Sequence, residues 1–387
     1  MGKGTAGMIY LDYLSTTPCD PAVVKAMLPW FGEDFGNPHS PHGPGRKAAA
    51  AVERARESVA RLLGVEAREI VFTSGATEAN NLAIKGAARH LARLGDPRRR
   101  IVTVATEHKC VLESVRDLER EGFEAVVLGV DGEGRVDPEA LREALQVPTL
   151  LVSIMAANNE TGVLQDIPQL AAIVKEHGAL MHVDLAQMAG KMPVSLRDVD
   201  LASVSAHKMY GPKGTGALYV RRNPRVRLEP LFSGGGQERG FRSGTLPTPL
   251  IVGFGEAADL AAAGLGDEAA RQVFLRDDLW AQLREGLPGI GLNGAGAPRL
   301  AGALNVCLPD GIRALDVLEA CPDVAASTGS ACTAAEIAPS YVLTEMGLSA
   351  EKASRCLRLS VGRSTSKADI DRAASLLIAA ARACQPN

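Results

Sequence analysis

Leu180-Met181-His182-Val183-Asp184 and Leu201-Ala202-Ser203-Val204-Ser205-Ala206-His207-Lys208 share one design: a short apolar run that closes on a charged side chain. A run of that length bounded by turn residues reads as a buried strand. An ionised group at its end is costly to bury without a partner. Strands that are apolar on both faces belong to sheets covered by helices on both sides, and such sheets bind their ligands at the carboxyl ends of the strands. Asp184 and Lys208 are therefore placed where an α/β sheet would meet a ligand.

The flanking sequence repeats the pattern. Ile70-Val71-Phe72 is a short buried strand, Thr73-Ser74-Gly75-Ala76 a loop, and a helix opens at Thr77-Glu78. Further strands are predicted over Ile101–Ala105, Ala125–Leu128, Leu150–Met155 and Gly216–Val220, with helices over Glu139–Leu145 and Ile167–Glu176 between them. Arg46–Leu63 carries Val52, Ala55, Val59, Leu62 and Leu63 on one helical face, and Gly64 follows as its C-cap. Strands alternating with helices give the α/β class, a mostly parallel sheet sandwiched by helices. This large domain is expected over 18–265. Near Ala258–Ala270 the chain turns Ala- and Gly-rich, as in a long helix leading into a second region. That smaller α+β domain is expected over 266–387, with helices at Arg271–Leu283 and Lys367–Ala383 and strands near Ala303–Cys307 and Cys356–Ser360; residues 1–17 are expected to join it.

The 387 residues include 46% hydrophobic and 22% charged side chains, enough for a large core and incompatible with disorder as the main state. Lys and Arg total 42 against 45 Asp and Glu, a net charge of −3, which is not the basic footprint of a nucleic-acid binder. No run approaches the ~18 apolar residues of a membrane span, and no signal pattern opens the chain. A cytoplasmic protein is expected. Seven scattered cysteines without a C-x-x-C pair argue against a disulfide framework or a metal site.

Pyridoxal phosphate is a ligand that needs both a lysine, for its aldehyde, and an acid, for its ring nitrogen. Asp184 and Lys208 supply that pair, although a structural ion pair at a sheet end would use the same residues. Their surroundings favour the cofactor. Ser74-Gly75-Ala76-Thr77 runs from strand into helix, so its main-chain N–H groups and the helix dipole suit a phosphate, and Ser205 and His207 add donors. His108, just after a strand, is suited to lie over a ring and pass protons, or to be a satisfied loop residue. Asn159 and Gln187 offer amides to a ring hydroxyl, though amides are common in loops. Cys332 lies in Ser327-Thr328-Gly329-Ser330-Ala331-Cys332-Thr333-Ala334-Ala335, a window without a large apolar anchor, which predicts a mobile loop with an accessible thiol and makes Cys332 a candidate nucleophile. Cys307, within an apolar strand, reads as an inert core residue. Arg358 is suited to grip a carboxylate with two parallel hydrogen bonds, whereas Arg363 reads as a surface ion pair.

Leu11-Asp12-Tyr13 with Thr16-Thr17-Pro18, Gly36-Asn37-Pro38, Thr73 to Asn81, Thr106-Glu107-His108-Lys109, His182-Val183-Asp184 with Gln187, Ser205-Ala206-His207-Lys208, Gly234 to Thr245 and Gly329-Ser330-Ala331-Cys332-Thr333 together resemble the cysteine desulfurases with a short Ser-Ala-Cys-Thr active loop, in family order over essentially the whole chain. The resemblance implies the aspartate-aminotransferase-like architecture (fold type I) and a homodimeric pyridoxal-phosphate enzyme that converts L-cysteine to L-alanine. It implies that Lys208 bonds the cofactor aldehyde, Asp184 pairs with the ring nitrogen, His108 stacks on the ring, and Asn159 and Gln187 address the ring hydroxyl. Ala76, Thr77, Ser205 and His207 would hold the phosphate, joined by Thr245 of the partner subunit. Arg358 and Asn37 would bind the substrate carboxylate, and Cys332 would take the sulfur as a persulfide and hand it to an acceptor protein for iron–sulfur cluster or thio-cofactor synthesis. Selenocysteine lyase, a non-catalytic sulfur carrier or scaffold of the same fold, and a plain aminotransferase are the alternatives; the last has no use for Cys332. Neither nucleic acid nor membrane is an expected partner.

Overall fold

In the computed structural model, which describes residues 7–328 and 339–385, the apolar runs assemble into one seven-stranded sheet. The chain opens with β1 (Ile9–Tyr10), α1 (Pro21–Met27) and α2 (Gly43–Leu63). α2 buries Val52, Ala55, Val59 and Leu63 and stops at Gly64, whose φ of 68° is the left-handed cap conformation that a side chain would oppose. There follow β2 (Ile70–Thr73), α3 (Ala76–Arg93), β3 (Arg100–Val104), α4 (Lys109–Glu119), β4 (Glu124–Leu128), α5 (Pro138–Ala144), β5 (Thr149–Met155), α6 (Ile167–Glu176), β6 (Leu180–Asp184), β7 (Leu201–Ser205) and β8 (Gly216–Val220). The spatial order is β2-β8-β7-β6-β5-β3-β4. β8 is antiparallel to both neighbours, and the remaining pairs are parallel. β2 and β7 thus run the same way, so Thr73, Val104, Met155, Asp184 and Ser205 finish at one edge.

A second, smaller core forms from α7 (Thr248–Gly286), β9 (Gly291–Leu292), β10 (Ala303–Cys307), α8 (Ala314–Ala320), β11 (Val324–Ala325), β12 (Cys356–Ser360) and α11 (Lys367–Ala383), while α9 (Tyr341–Glu345) and α10 (Ala350–Ser354) pack Val342, Leu343 and Ala353 into a separate cluster with Cys307 and Cys356. β10 is the centre of an antiparallel sheet ordered β12-β10-β9. β1 pairs in parallel with β11, which ties Ile9 and Tyr10 to this region.

The helices expected on either side of residue 270 are one continuous helix. Gly264 and Gly266 each cost α7 about 1 kcal/mol relative to alanine, but packing at both ends outweighs them. Ile251, Phe254 and Ala258 belong to the large core, and Leu275, Leu279 and Leu283 to the small one. Gly255 lets α7 lie directly on α2, since a Cβ there would come 2.6 Å from the Ala55 Cα. Among the described residues α7 is the one helix long and apolar enough to cross a membrane by length and composition; it packs into both cores while Val273 and Phe274 are exposed.

Candidate active site

The carboxyl edge of the sheet opens into a cavity of about 510 Å³, within the ~300–1,000 Å³ usual for small-molecule sites. Asp184 and Lys208 both border it. Asp184, the last residue of β6, is 5% exposed; its Oδ2 accepts from Asn80 Nδ2 at 2.7 Å and its Oδ1 from the Ala186 N–H at 2.8 Å. Lys208 ends the tight turn Ala206–Lys208 that follows β7, and its Nζ donates to the main-chain carbonyls of Leu14 at 2.8 Å and Ser15 at 2.5 Å. The carboxylate is thus oriented by neutral N–H donors and the ammonium by main-chain oxygens.

Ser74, Gly75, Ala76 and Thr77 line one end of the cavity. Among the described residues no side chain caps the start of α3, so its N–H groups and the positive end of its dipole are available to an anion. β8 presses close behind this turn: a Cβ on Gly216 would lie 2.7 Å from the Gly75 Cα. Ser205, His207 and Lys213 border the same cavity. Burial, reinforced by Lys208, Lys213 and Lys191, pushes the His207 pKa down to about 4, so the ring is neutral and shares its Nδ1 with Thr16 Oγ1 at 3.1 Å.

His108 caps α4 and lines the wall with Cys110. Asn159 is there too, with an Oδ1 that is buried and has no hydrogen-bond partner among the described residues. Gln187 is less open than expected, because its Nε2 donates to the Leu14 carbonyl at 2.8 Å and its Oε1 accepts from Lys191 Nζ at 3.0 Å. Arg358, on β12, reaches the cavity from the smaller core. Its guanidinium differs from the open fork expected: one NH2 group donates to Asp12 Oδ1 at 2.7 Å and the other to the Asn159 carbonyl at 3.1 Å, leaving the buried Nε unpartnered among the described residues.

Two expected site residues do not reach the cavity. Asn37 is exposed ahead of α2, its Oδ1 accepting from the His39 N–H at 3.0 Å, and Thr245 is exposed in the segment before α7. Cys332 lies outside the described residues. Arg363 is not a surface pair: half-buried, it bridges Asp20 at 2.8 Å and Glu268 at 2.9 Å and lies 4.1 Å over the Tyr210 ring.

Sequence reasoning missed Asn80, Cys110, Glu107, Asp12, Lys191 and Lys213. Asn80 had a signal, a short amide among Ala79, Leu82, Ala83 and Ile84 on the buried face of α3. Glu107 is fully buried; burial, with the nearby Asp184 charge, raises its pKa, and its Oε1 accepts from the Met155 N–H. These residues fit a phosphorylated pyridine aldehyde: an uncapped helix start for the phosphate, a carboxylate for a ring nitrogen, an amine for the aldehyde, and an orphaned amide oxygen for a ring hydroxyl.

The model of the aminotransferase class-V family matches residues 9–373. The chain is 52% identical over 373 residues to the cysteine desulfurase IscS of Anaeromyxobacter sp. (strain Fw109-5), covering 96% of this chain and 91% of that one. It is 48% identical to the cysteine desulfurase IscS of Rickettsia akari (strain Hartford), covering 95% and 90%. Among solved structures, a NifS-like protein superposes with a TM-score of 0.88 at 36% identity over 96% of this chain and 98% of its own. SspA in complex with cysteine superposes with a TM-score of 0.81 at 37% identity over 91% and 98%.

Proposed function

The chain belongs to the class-V aminotransferase family and is a pyridoxal-phosphate-dependent cysteine desulfurase, and from that premise we propose which residues carry the reaction. The observation that supports the assignment is the meeting of Asp184, Lys208 and the uncapped start of α3 on one cavity. The cofactor, when bound, supplies a cationic ring that takes up electron density from the substrate carbon. Asp184, aligned by Asn80 and Ala186, holds a proton on the ring nitrogen. Ala76, Thr77, Ser205 and His207, with Thr245 of the partner subunit in a homodimer, hold the phosphate. His108 covers the ring, and Asn159 and Gln187 address its hydroxyl. Lys208 would anchor the aldehyde, and its Nζ is the base that would take the proton from the substrate Cα.

Arg358 binds the substrate carboxylate through the N–H groups that Asp12 and Asn159 do not take up, and Asn37, placed outside the cavity, is not assigned to it. Cys332 attacks the substrate sulfur as a thiolate. An S–S bond forms as the C–S bond breaks, the C–S electron pair stays with the fragment that becomes alanine, and Cys332 is left as a persulfide. The sulfur then passes to an acceptor protein for iron–sulfur cluster or thio-cofactor synthesis in the cytoplasm.

Two variants test this. Lys208→Ala is expected to lose the visible absorbance of lysine-bound cofactor and all alanine formation. Cys332→Ala is expected to keep that absorbance and lose persulfide on the protein. Wild-type alanine and sulfide production by Cys332→Ala would remove Cys332 from the reaction, and cysteine turnover by Lys208→Ala would overturn the assignment itself.

A further inference from the structure

One ring nitrogen of His108 faces two donors from the same residue. Nδ1 accepts the main-chain N–H of Cys110 at 3.2 Å, and the Cys110 Sγ stands 3.0 Å from it. A main-chain amide only donates, so Nδ1 is the lone-pair nitrogen of the neutral ring. The thiol keeps its hydrogen, because burial and then the charge of Asp184 push its pKa up to about 12. Asn80 turns that hydrogen toward the ring. Its Nδ2 donates to Asp184 Oδ2 at 2.7 Å and to Cys110 Sγ at 3.2 Å, and the Thr77 hydroxyl also bonds the sulfur, so the sulfur accepts from these donors while its own hydrogen meets Nδ1. The amide cannot be reversed, since that would set its oxygen against the Asp184 carboxylate.

We propose that Asn80 and Cys110 are positioning residues that lock His108 as a neutral imidazole with its proton on Nε2, so that His108 acts over the cofactor as a hydrogen-bond donor and leaves proton abstraction to Lys208. This rests on the assignment of His108 to the cofactor face. The charged groups around the ring are Asp184 from β6, Lys208 from the turn after β7 and Lys109 from α4 itself. Burial is the largest influence and lowers the His108 pKa; Asp184 opposes it, and the two lysines act with it. Protonation would also need a hydrogen on Nδ1, where the Cys110 amide already points.

Neutron diffraction from deuterated holoenzyme crystals reads the tautomer directly. Deuterium is expected on Nε2 and absent from Nδ1; deuterium on Nδ1 overturns the proposal. In solution, Cys110→Ala removes one of the two donors that oppose protonation at Nδ1. The acid limb of kcat/KM should therefore move to higher pH, with kcat falling about tenfold. Cys110→Ser, which restores a hydroxyl donor, should return the limb toward its wild-type position. An acid limb that stays in place in Cys110→Ala, or moves equally in Cys110→Ser, overturns the proposal. Cysteine turnover by Lys208→Ala is a different failure: it removes the reading of the site whatever the position of the deuterium.

Discussion

Two of the places where the protein buries charge are completed to different degrees. Between α2 and the segment around residue 238, the Arg56 guanidinium and the Glu238 carboxylate are 3% and 1% exposed and meet in two bonds of 2.7 Å. Arg56 also donates to the Ile70 carbonyl and to Glu53, Glu238 accepts from the Phe72 N–H, and the guanidinium lies 4.6 Å over the Phe72 ring. The pair even holds Glu238 and Arg239 in left-handed backbone, at φ of 50° and 58°, a conformation that costs roughly 1–2 kcal/mol for a residue with a side chain. Along the sheet edge the Asp184 carboxylate has neutral donors, and Asn80 Oδ1, Glu107 Oε2, Asn159 Oδ1 and Arg358 Nε are buried without partners among the described residues. Polar atoms left unmatched inside a protein cost about 1–3 kcal/mol each. A fold able to satisfy Arg56 so fully leaves Asn159 Oδ1 and Arg358 Nε unmatched in two residues that border the cavity.

Substitutions should separate the two regions. Glu238→Gln strands a buried guanidinium and is expected to destabilise the protein by about 3–5 kcal/mol, read from urea denaturation, with kcat per folded holoenzyme unchanged. Asp184→Asn strands no cation; its denaturation midpoint should move far less, while kcat falls about 100-fold. Equal stability losses in the two variants would erase the contrast.

The next effect is a pH dependence. His182 is completely buried between Ser153 Oγ at 2.8 Å and Ser203 Oγ at 3.0 Å, and burial lowers its pKa to about 3. An unfolded histidine titrates near ~6.5, so between these values the unfolded chain binds the extra proton. The stability from this residue is complete above that range and is lost as pH falls through it, at up to about 1.4 kcal/mol per pH unit. His182→Asn should flatten that part of the stability profile. The smallest effect belongs to the surface: Ser366 and Asp369 form a reciprocal cap on α11, and Ser366→Ala should cost about 1 kcal/mol with turnover untouched.

The edge of the sheet was legible in the sequence because one pattern, an apolar run ending in a charge, marks both Asp184 and Lys208, and the parallel order of their strands then makes them neighbours. The phosphate-suited turn at Ser74–Thr77 was legible because a short apolar strand passes through a glycine turn into a helix. What escaped depends on contacts between distant residues or on single atoms. β1, β9 and β11 are two residues long and carry no periodicity; they exist because partners far along the chain hold them. Asn80 and Cys110 sit on helices whose apolar spacing is otherwise ordinary. Their roles appear only when Asp184 and His108 are placed beside them. Asp12 and Arg358 are 346 residues apart in the chain, a pairing that no local pattern encodes.

That separation has a consequence for synthesis. Segment 9–17 supplies the Leu14 and Ser15 carbonyls to Lys208, the Asp12 carboxylate to Arg358 and the Thr17 hydroxyl to the His207 carbonyl, while its own strand pairs with Val324–Ala325 and its Leu11 carbonyl accepts from the Ser360 N–H. At about 5–20 residues per second, Asp12 waits roughly 20–70 s on the ribosome for Arg358, 346 residues on. The nascent chain therefore has its large sheet well before it has a finished pocket.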